Sequence, residues 1–189
     1  SNLTIDGQHS EFIFHDSIIP FAMDRASRIT CRRFTIDWGR PMFDQGIVAD
    51  ASDRFFDISL REGIAYEVCD GKLYFEYDGR MQPVWGLHEI DPKTMCHAYQ
   101  SGDRLSWSSF KKLRIDEIKP GLVRVSGHLR HIPKIGNWIG MRFGRRENPG
   151  FFLKNSSDIQ MEDVAVYHAP GMGLVAQRSE NISLQRFDV

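Results

Sequence analysis

The chain has 189 residues, 41% hydrophobic and 26% charged, the proportions of an ordinary globular chain of one or two domains, which excludes pervasive disorder. No apolar run is long enough to cross a bilayer as a helix, and 24 Lys+Arg against 25 Asp+Glu leave a formal charge of -1, which argues against a general nucleic-acid binder because nothing supplies broad phosphate neutralisation. The three cysteines, Cys31, Cys69 and Cys96, have no CxxC or Cys/His metal spacing, so neither a disulfide framework nor a metal site is expected, and they read as reduced, buried thiols.

Strand patterns begin at once with NLTIDGQHSEFIF (2–14), and ASRITCRRFTID (26–37) follows with the same alternation. No stretch of twelve or more residues holds a 3.6-residue period with a credible cap, so the chain is expected to be all-β. Between 42 and 141 the character changes. QGIVADASDRFFDISL reads as a hairpin, followed by GKLYFEY, VWGLHEID and LVRVSGHL, with the turn-like CDG, YDGR, SGD and KPG between them. That density of short strands predicts a small antiparallel barrel or sandwich. The most basic stretch, FKKLRIDEIKPGLVRVSGHLRHIPK, also carries Asp116 and Glu117, and its charges are expected to decorate exposed strands.

The last part of the chain repeats itself. SSDIQMEDV and SENISLQRFDV place Ile159 and Ile182 at equivalent positions, 23 residues apart (182 minus 159), a solenoid-like spacing. The segment 26–37 aligns without gaps on 156–167, putting Ile29 on Ile159, Cys31 on Met161, Phe34 on Val164 and Ile36 on Val166, and residues 2–14 form a fourth, looser copy. Apolar residues recurring at matching positions while turns vary is the pattern of a parallel β-helix, whose inward side chains stack coil upon coil. The expected organisation is β-helix coils at 1–41, an inserted β-barrel domain at 42–141, and coils resuming at 142–189 and continuing beyond the chain end. The sequence is read as an excerpt of a longer protein whose export signal, if any, has been removed.

Three stretches could carry chemistry. RRENPGFF (145–152) gathers hydrogen-bond donors and an acceptor before a Pro-Gly turn, among them Arg146 and Asn148, suited to sugar hydroxyls; the alternative is a charged turn. VYHAPGMGLVAQR (166–178) offers His168, Gln177 and Arg178 at strand ends, where a shared outer face would let them converge on one ligand; the alternative is a turn residue and a solvated face. FTIDWGRPMF (34–43) places Trp38 beside Asp37 and Arg40, the composition of a sugar platform, and by the alignment Trp38 shares a face with His168; the alternative is a packing Trp. Glycoside hydrolysis needs two carboxylates. The 25 acids are scattered; Asp37, Glu147 and Glu180 lie nearest the proposed face, and none is assigned as catalytic. The Asn-x-Ser/Thr triplets at Asn2, Asn155 and Asn181 are expected to stack on coil turns.

NLTIDGQHSEFIFH, FTIDWGRPM and above all NPGFFLKNSSDIQMEDVAVYHAPGMGLVAQRSENISL resemble glycoside hydrolase family 110, the bacterial exo-acting α-1,3-galactosidases. The resemblance implies a right-handed parallel β-helix with β-barrel insertions. It also implies a cofactor-free, metal-independent inverting hydrolase that removes terminal α-1,3-linked galactose from a glycan, in a secreted or periplasmic protein. The family's catalytic aspartates are expected beyond residue 189, so this chain would supply substrate-binding coils through Trp38, Arg146, Asn148, His168, Gln177 and Arg178, and its open coil end would invite self-association. Two other readings stand beside it: a non-catalytic β-helix carbohydrate-binding module, and a β-helix polysaccharide lyase or polygalacturonase.

Overall fold

The computed structural model describes residues 2–102, 104–144 and 147–189. The chain divides into two compact units, Ser1–Pro41 with Arg145–Val189 (unit 1) and Met42–Gly144 (unit 2). In chain order unit 1 contributes β1 (Leu3–Phe14), β2 (Phe21–Asp24) and β3 (Ser27–Trp38). Unit 2 carries β4 (Phe43–Ala51), β5 (Phe55–Leu60), β6 (Tyr66–Cys69), β7 (Lys72–Tyr77), β8 (Arg80–Asp91), β9 (Cys96–His97), the single helical turn α1 (Trp107–Phe110), β10 (Leu113–Lys119), β11 (Leu122–Gly127) and β12 (Trp138–Phe143). Unit 1 then resumes with β13 (Phe151–Lys154), β14 (Ser157–Val166), β15 (Leu174–Gln177) and β16 (Glu180–Asp188). The fold is all-β.

Unit 1 consists of two parallel sheets, one in the order β1-β3-β14-β16 and the other β15-β13-β2. The chain passes from the smaller to the larger sheet three times, at β2–β3, β13–β14 and β15–β16. The ladder registers match the sequence alignment residue by residue: Ile29, Ile159 and Ile182 are in line, as are Cys31, Met161 and Leu184, and Phe34, Val164 and Phe187. Matching apolar residues therefore lie one above another, and the central members Ile29, Cys31, Phe34, Ile159, Met161 and Val164 are all buried. From the smaller sheet Phe21 stacks on Phe151 with ring centroids 5.0 Å apart and on Phe34 at 5.5 Å. Each such buried side chain is worth roughly 1.5–3 kcal/mol of apolar transfer.

The long strands are bent at matching places. Arg33, Asp163 and Arg186 all have φ near +50° and occupy equivalent ladder positions, as do Arg28, Asp158 and Asn181 in a second row; Arg25, Asn155 and Arg178, also at positive φ, follow β2, β13 and β15. Left-handed backbone is unfavourable for arginine, so these bends persist because the neighbouring strands impose them and because charge partners hold the side chains. Arg33 and Arg32 both reach Asp6, Arg32 Nε at 3.0 Å, while Arg186 binds Asp163 and, at 2.7 Å, Glu162. The Arg33 guanidinium holds the Asp6 carboxyl well below the usual carboxylate range, and Arg186 pulls Asp163 down in the same way. Two of the three Asn-x-Ser/Thr asparagines share the second row, Asn2 accepting from Arg28 Nε at 2.7 Å and Asn181 donating to Asp158 at 3.1 Å; Asn155 belongs to the third.

In unit 2 the antiparallel order is β10-β11-β5-β4-β12-β8-β7-β6, with β9 on the edge of β8. The sheet curls until its ends almost meet. Across the seam Ile115 N–H donates to Gly71 O at 2.9 Å, Tyr66 Oη donates to Glu117, and Gly121 N–H donates to Tyr66 Oη at 2.7 Å. Inside lie Phe56, Ile58, Leu73, Phe75, Leu87, Ile139 and Met141, all fully buried. Strand β12 pairs on both sides as far as Arg142 and Phe143, so unit 2 runs to Gly144 rather than ending at 141. The cysteine expectation needs correction: Cys31 is buried in unit 1, whereas Cys69 and Cys96, at the end of β6 and in the short edge strand β9, are exposed.

Candidate functional site

The predicted residues of unit 1 fall at two places, one past the ends of β3 and β14 and the other at the end of β15. The first is where β3 and β14 run out. Tyr167 N–H donates to Ile36 O at 2.8 Å, carrying the pairing one step past Val166, and His168 then turns with φ +52°. That turn brings its ring to Asp37. His168 Nδ1–H donates to Asp37 Oδ1 at 2.8 Å, and the same oxygen accepts Trp38 N–H at 2.7 Å. A carboxylate can only accept, so Asp37 fixes both the ring orientation and the nitrogen that carries hydrogen. The His168 side chain remains 43% exposed.

Trp38 does not share that outer face. It is 3% exposed and packs in the core of unit 1 against Phe14, with ring centroids 5.9 Å apart, and its Nε1–H donates to Asp16 O at 3.2 Å. The role of open sugar platform is corrected accordingly: both ring faces are spent on packing. The physical reason is the segment 15–20, which supplies the acceptor that lets an indole N–H be buried. The same segment engages Asn148, whose Nδ2 donates to Ser17 O at 2.5 Å and to Ser17 Oγ at 2.8 Å. Asn148 thus anchors a loop of unit 1. Gly171 permits the close approach on its other side, since a Cβ there would lie 2.7 Å from Asn148 O.

Gln177 and Arg178 lie at the far end of β15. Gln177 O accepts Asn155 N–H at 3.0 Å and Ser179 Oγ–H at 3.1 Å, and both residues are exposed. The chain reaches them from His168 through residues 169–173 and the four residues of β15, which extend over about 10 Å. Buried Ser156 organises this second corner, accepting Ala26 N–H at 3.1 Å and donating to Lys154 O at 2.9 Å. Arg146 lies outside the described residues.

Unit 2 holds polar groups the sequence did not single out. Glu89 on β8 is 2% exposed, yet its carboxylate accepts Lys134 N–H at 2.8 Å, Asn137 Nδ2–H at 2.6 Å and His131 Nε2–H. It fastens residues 131–137 to the barrel. The signal in the sequence is His88 and the acid Glu89 inside an otherwise apolar strand pattern, VWGLHEI.

The two units define an all-β protein in which a small barrel is entered from and left into parallel-sheet strands. The family profile described as GLAA-B beta-barrel domain I matches residues 44–139, and the chain belongs to this GLAA-B family. Among curated relatives it is 33% identical over 188 residues to the α-1,3-galactosidase B of Bacteroides thetaiotaomicron, covering 97% of the chain and 30% of that protein. It is 31% identical to the α-1,3-galactosidase A of Shewanella woodyi, covering all of the chain and 31% of the relative. Against the α-1,3-galactosidase A of Bacteroides fragilis the identity is 26%, over 98% of the chain and 30% of the relative. The chain therefore spans about 30% of the length of the curated relatives it matches.

Proposed function

We propose that this chain is part of a glycoside hydrolase that releases terminal α-1,3-linked galactose from glycans with inversion of configuration. The observation that carries the reading is that similarity to proteins named α-1,3-galactosidases runs through both units, at 33% identity over 97% of the chain. On this reading unit 1 is a run of right-handed parallel β-helix coils, supported by the three passages between sheets and by the in-line bends at Arg33, Asp163 and Arg186. His168, oriented by Asp37, positions the terminal sugar, Asn148 holds its loop, and Arg146 donates to a sugar hydroxyl. Gln177 and Arg178, at the end of β15, meet another sugar of the same glycan.

Inversion requires one carboxylic acid to protonate the leaving oxygen and one carboxylate to activate water on the opposite face, about 6.5 to 9.5 Å apart. Asp37, the acid nearest His168, is committed to the histidine ring and to Trp38 N–H, so the acid/base pair is assigned outside these 189 residues. The protein acts outside the cytoplasm, secreted or periplasmic, where glycans of this kind are met. The outer edge of β16, with Leu184 47% exposed, is where copies of this isolated chain would associate.

The test is galactose release from α-1,3-galactobiose by this chain and by a full-length protein containing it, with the anomer followed by NMR. Initial β-galactose from the full-length protein alone supports the reading. Initial α-galactose overturns inversion, release by the isolated chain overturns the placement of the carboxylates, and no release by either makes the glycan-binding module the better description.

A further inference from the structure

The outer face of the barrel carries a depression of about 310 Å³ that no predicted residue touches. The ladder registers show how it is built. Trp138 on β12 pairs with Ile47 on β4, which pairs with Ser59 on β5, and alternation points all three side chains outward. One step along, Gly140 pairs with Gln45, and Arg61 continues β5 beyond the Gly46–Leu60 pair. Trp138, Ile47, Ser59, Gln45 and Arg61 line the depression. On the same face of β12, two residues from Trp138, the buried Gly140 adds no side chain, and a Cβ there would meet nothing closer than His88 O at 3.8 Å. The depression forms a shelf beside the indole.

The chemistry of the lining selects an occupant. Among the described residues, nothing hydrogen-bonds the Trp138 indole N–H, the Gln45 amide or the Ser59 hydroxyl, so a ligand that left them dry and unpaired would be penalised. A purely apolar segment is such a ligand. Arg61, 68% exposed, is already balanced by Asp44 Oδ1 at 3.3 Å, so the shelf offers no net charge to an anion. An aromatic plane with planar amide, hydroxyl and guanidinium groups around it matches a pyranose ring, which presents a C–H face on one side and hydroxyls at its rim. We propose that this shelf binds an uncharged pyranose, as a glycan-holding site on the barrel separate from the Asp37–His168 corner and independent of whether the protein hydrolyses its glycan.

The experiment is an NMR titration of this chain with methyl α-galactopyranoside, methyl α-glucopyranoside and galacturonate, reading the Trp138 indole and Gln45 side-chain amide signals. Saturable shifts with an uncharged glycoside, at an affinity near about 1 mM, are expected. Gly140→Val, which sets a branched side chain two residues from Trp138 on the same face of β12, and Trp138→Ala should each weaken binding by about tenfold or more while keeping the dispersion of the spectrum. His168→Ala should leave these signals and their shifts unchanged. Signals that stay still, shifts given by galacturonate alone, equal shifts in Gly140→Val, or loss of the shifts in His168→Ala would each overturn the proposal. Galactose release is not read in this experiment, so failure of the hydrolase reading would leave its outcome intact.

Discussion

Replacing Glu89 by alanine tests how the barrel holds its longest loop. The carboxylate is 2% exposed and accepts Lys134 N–H at 2.8 Å and Asn137 Nδ2–H at 2.6 Å through one oxygen, with His131 on the other. Without it the Lys134 amide and the Asn137 side chain, itself 7% exposed, become unsatisfied donors, each costing about 1–3 kcal/mol. A loss of about 3–5 kcal/mol is therefore expected for Glu89→Ala once the vacated space is included. Glu89→Gln keeps the oxygen shared by Lys134 and Asn137 and should cost only about 1–2 kcal/mol. The damage should spread in a defined direction. Asn137 O accepts Val48 N–H at 2.9 Å and Val48 O accepts Gly136 N–H at 2.9 Å, so native-state hydrogen exchange should speed at Val48 more than at Leu73 on the other side of the barrel. Equal stability losses for the alanine and glutamine variants, or an alanine variant within about 0.5 kcal/mol of the parent by denaturant unfolding, would refute this account of the loop.

Other expectations follow from single contacts. Gly46→Ala forces a Cβ to 2.4 Å from Ile58 Cγ2 and 2.7 Å from Ser59 O, and because the second is backbone the barrel should lose about 1–3 kcal/mol; an unchanged denaturation midpoint would contradict it. In the folded protein Cys69 and Cys96 should react with a thiol reagent at pH 8, while Cys31, whose thiol is pushed up to about 11 by burial, should react only on unfolding; mass spectrometry counts the labels. Asp6 and Asp163 have folded-state values pulled below the ordinary carboxylate value of about 3.9. Their stabilising effect is thus complete above that value and disappears as pH falls through the lower, folded one. Stability should decline below about pH 4, and Arg186→Gln should flatten that decline by releasing Asp163; an unaltered acid limb in this variant would exclude the contribution of the pair.

What could be read in advance depended on whether the cause was local. The in-line stacking of Ile29, Ile159 and Ile182 was legible because a parallel ladder repeats its inward residues at fixed positions, and nothing between the copies alters that. The burial of Trp38 was not. Its decisive partner is a backbone carbonyl at Asp16, 22 residues away, and a Trp between Asp37 and Gly39 looks the same whether its ring faces the core or a sugar. His168 was named as a candidate sharing a face with Trp38, and the structure bonds it to Asp37 instead, where positive φ at His168 turns the chain at the ladder's end. Gln177 and Arg178 were grouped with His168 as strand-end residues on a shared outer face, and a linear pattern does not give the distance between strand ends. The Trp138 shelf is absent from any linear motif, since its five side chains come from three strands that are brought side by side only by antiparallel pairing.

The placement of the barrel between β3 and β14 bears on the order of events during folding. Ile29 and Ile159 are ladder neighbours yet 130 positions apart in the chain (159 minus 29), and bringing such distant segments together is entropically slow. When the barrel closes, Phe143 N–H bonds to Met42 O at 3.3 Å, so the two ends of the insertion become neighbours and the effective tether between β3 and β14 shrinks from the 118 residues between Trp38 and Ser157 to 18, residues 39–42 and 143–156. The inserted unit thus acts as a clip that prepares a junction in which it makes no ladder bond itself. A lesion such as Glu89→Ala would delay the β3–β14 pairing from a distance, and refolding rates of unit 1 would report the health of unit 2.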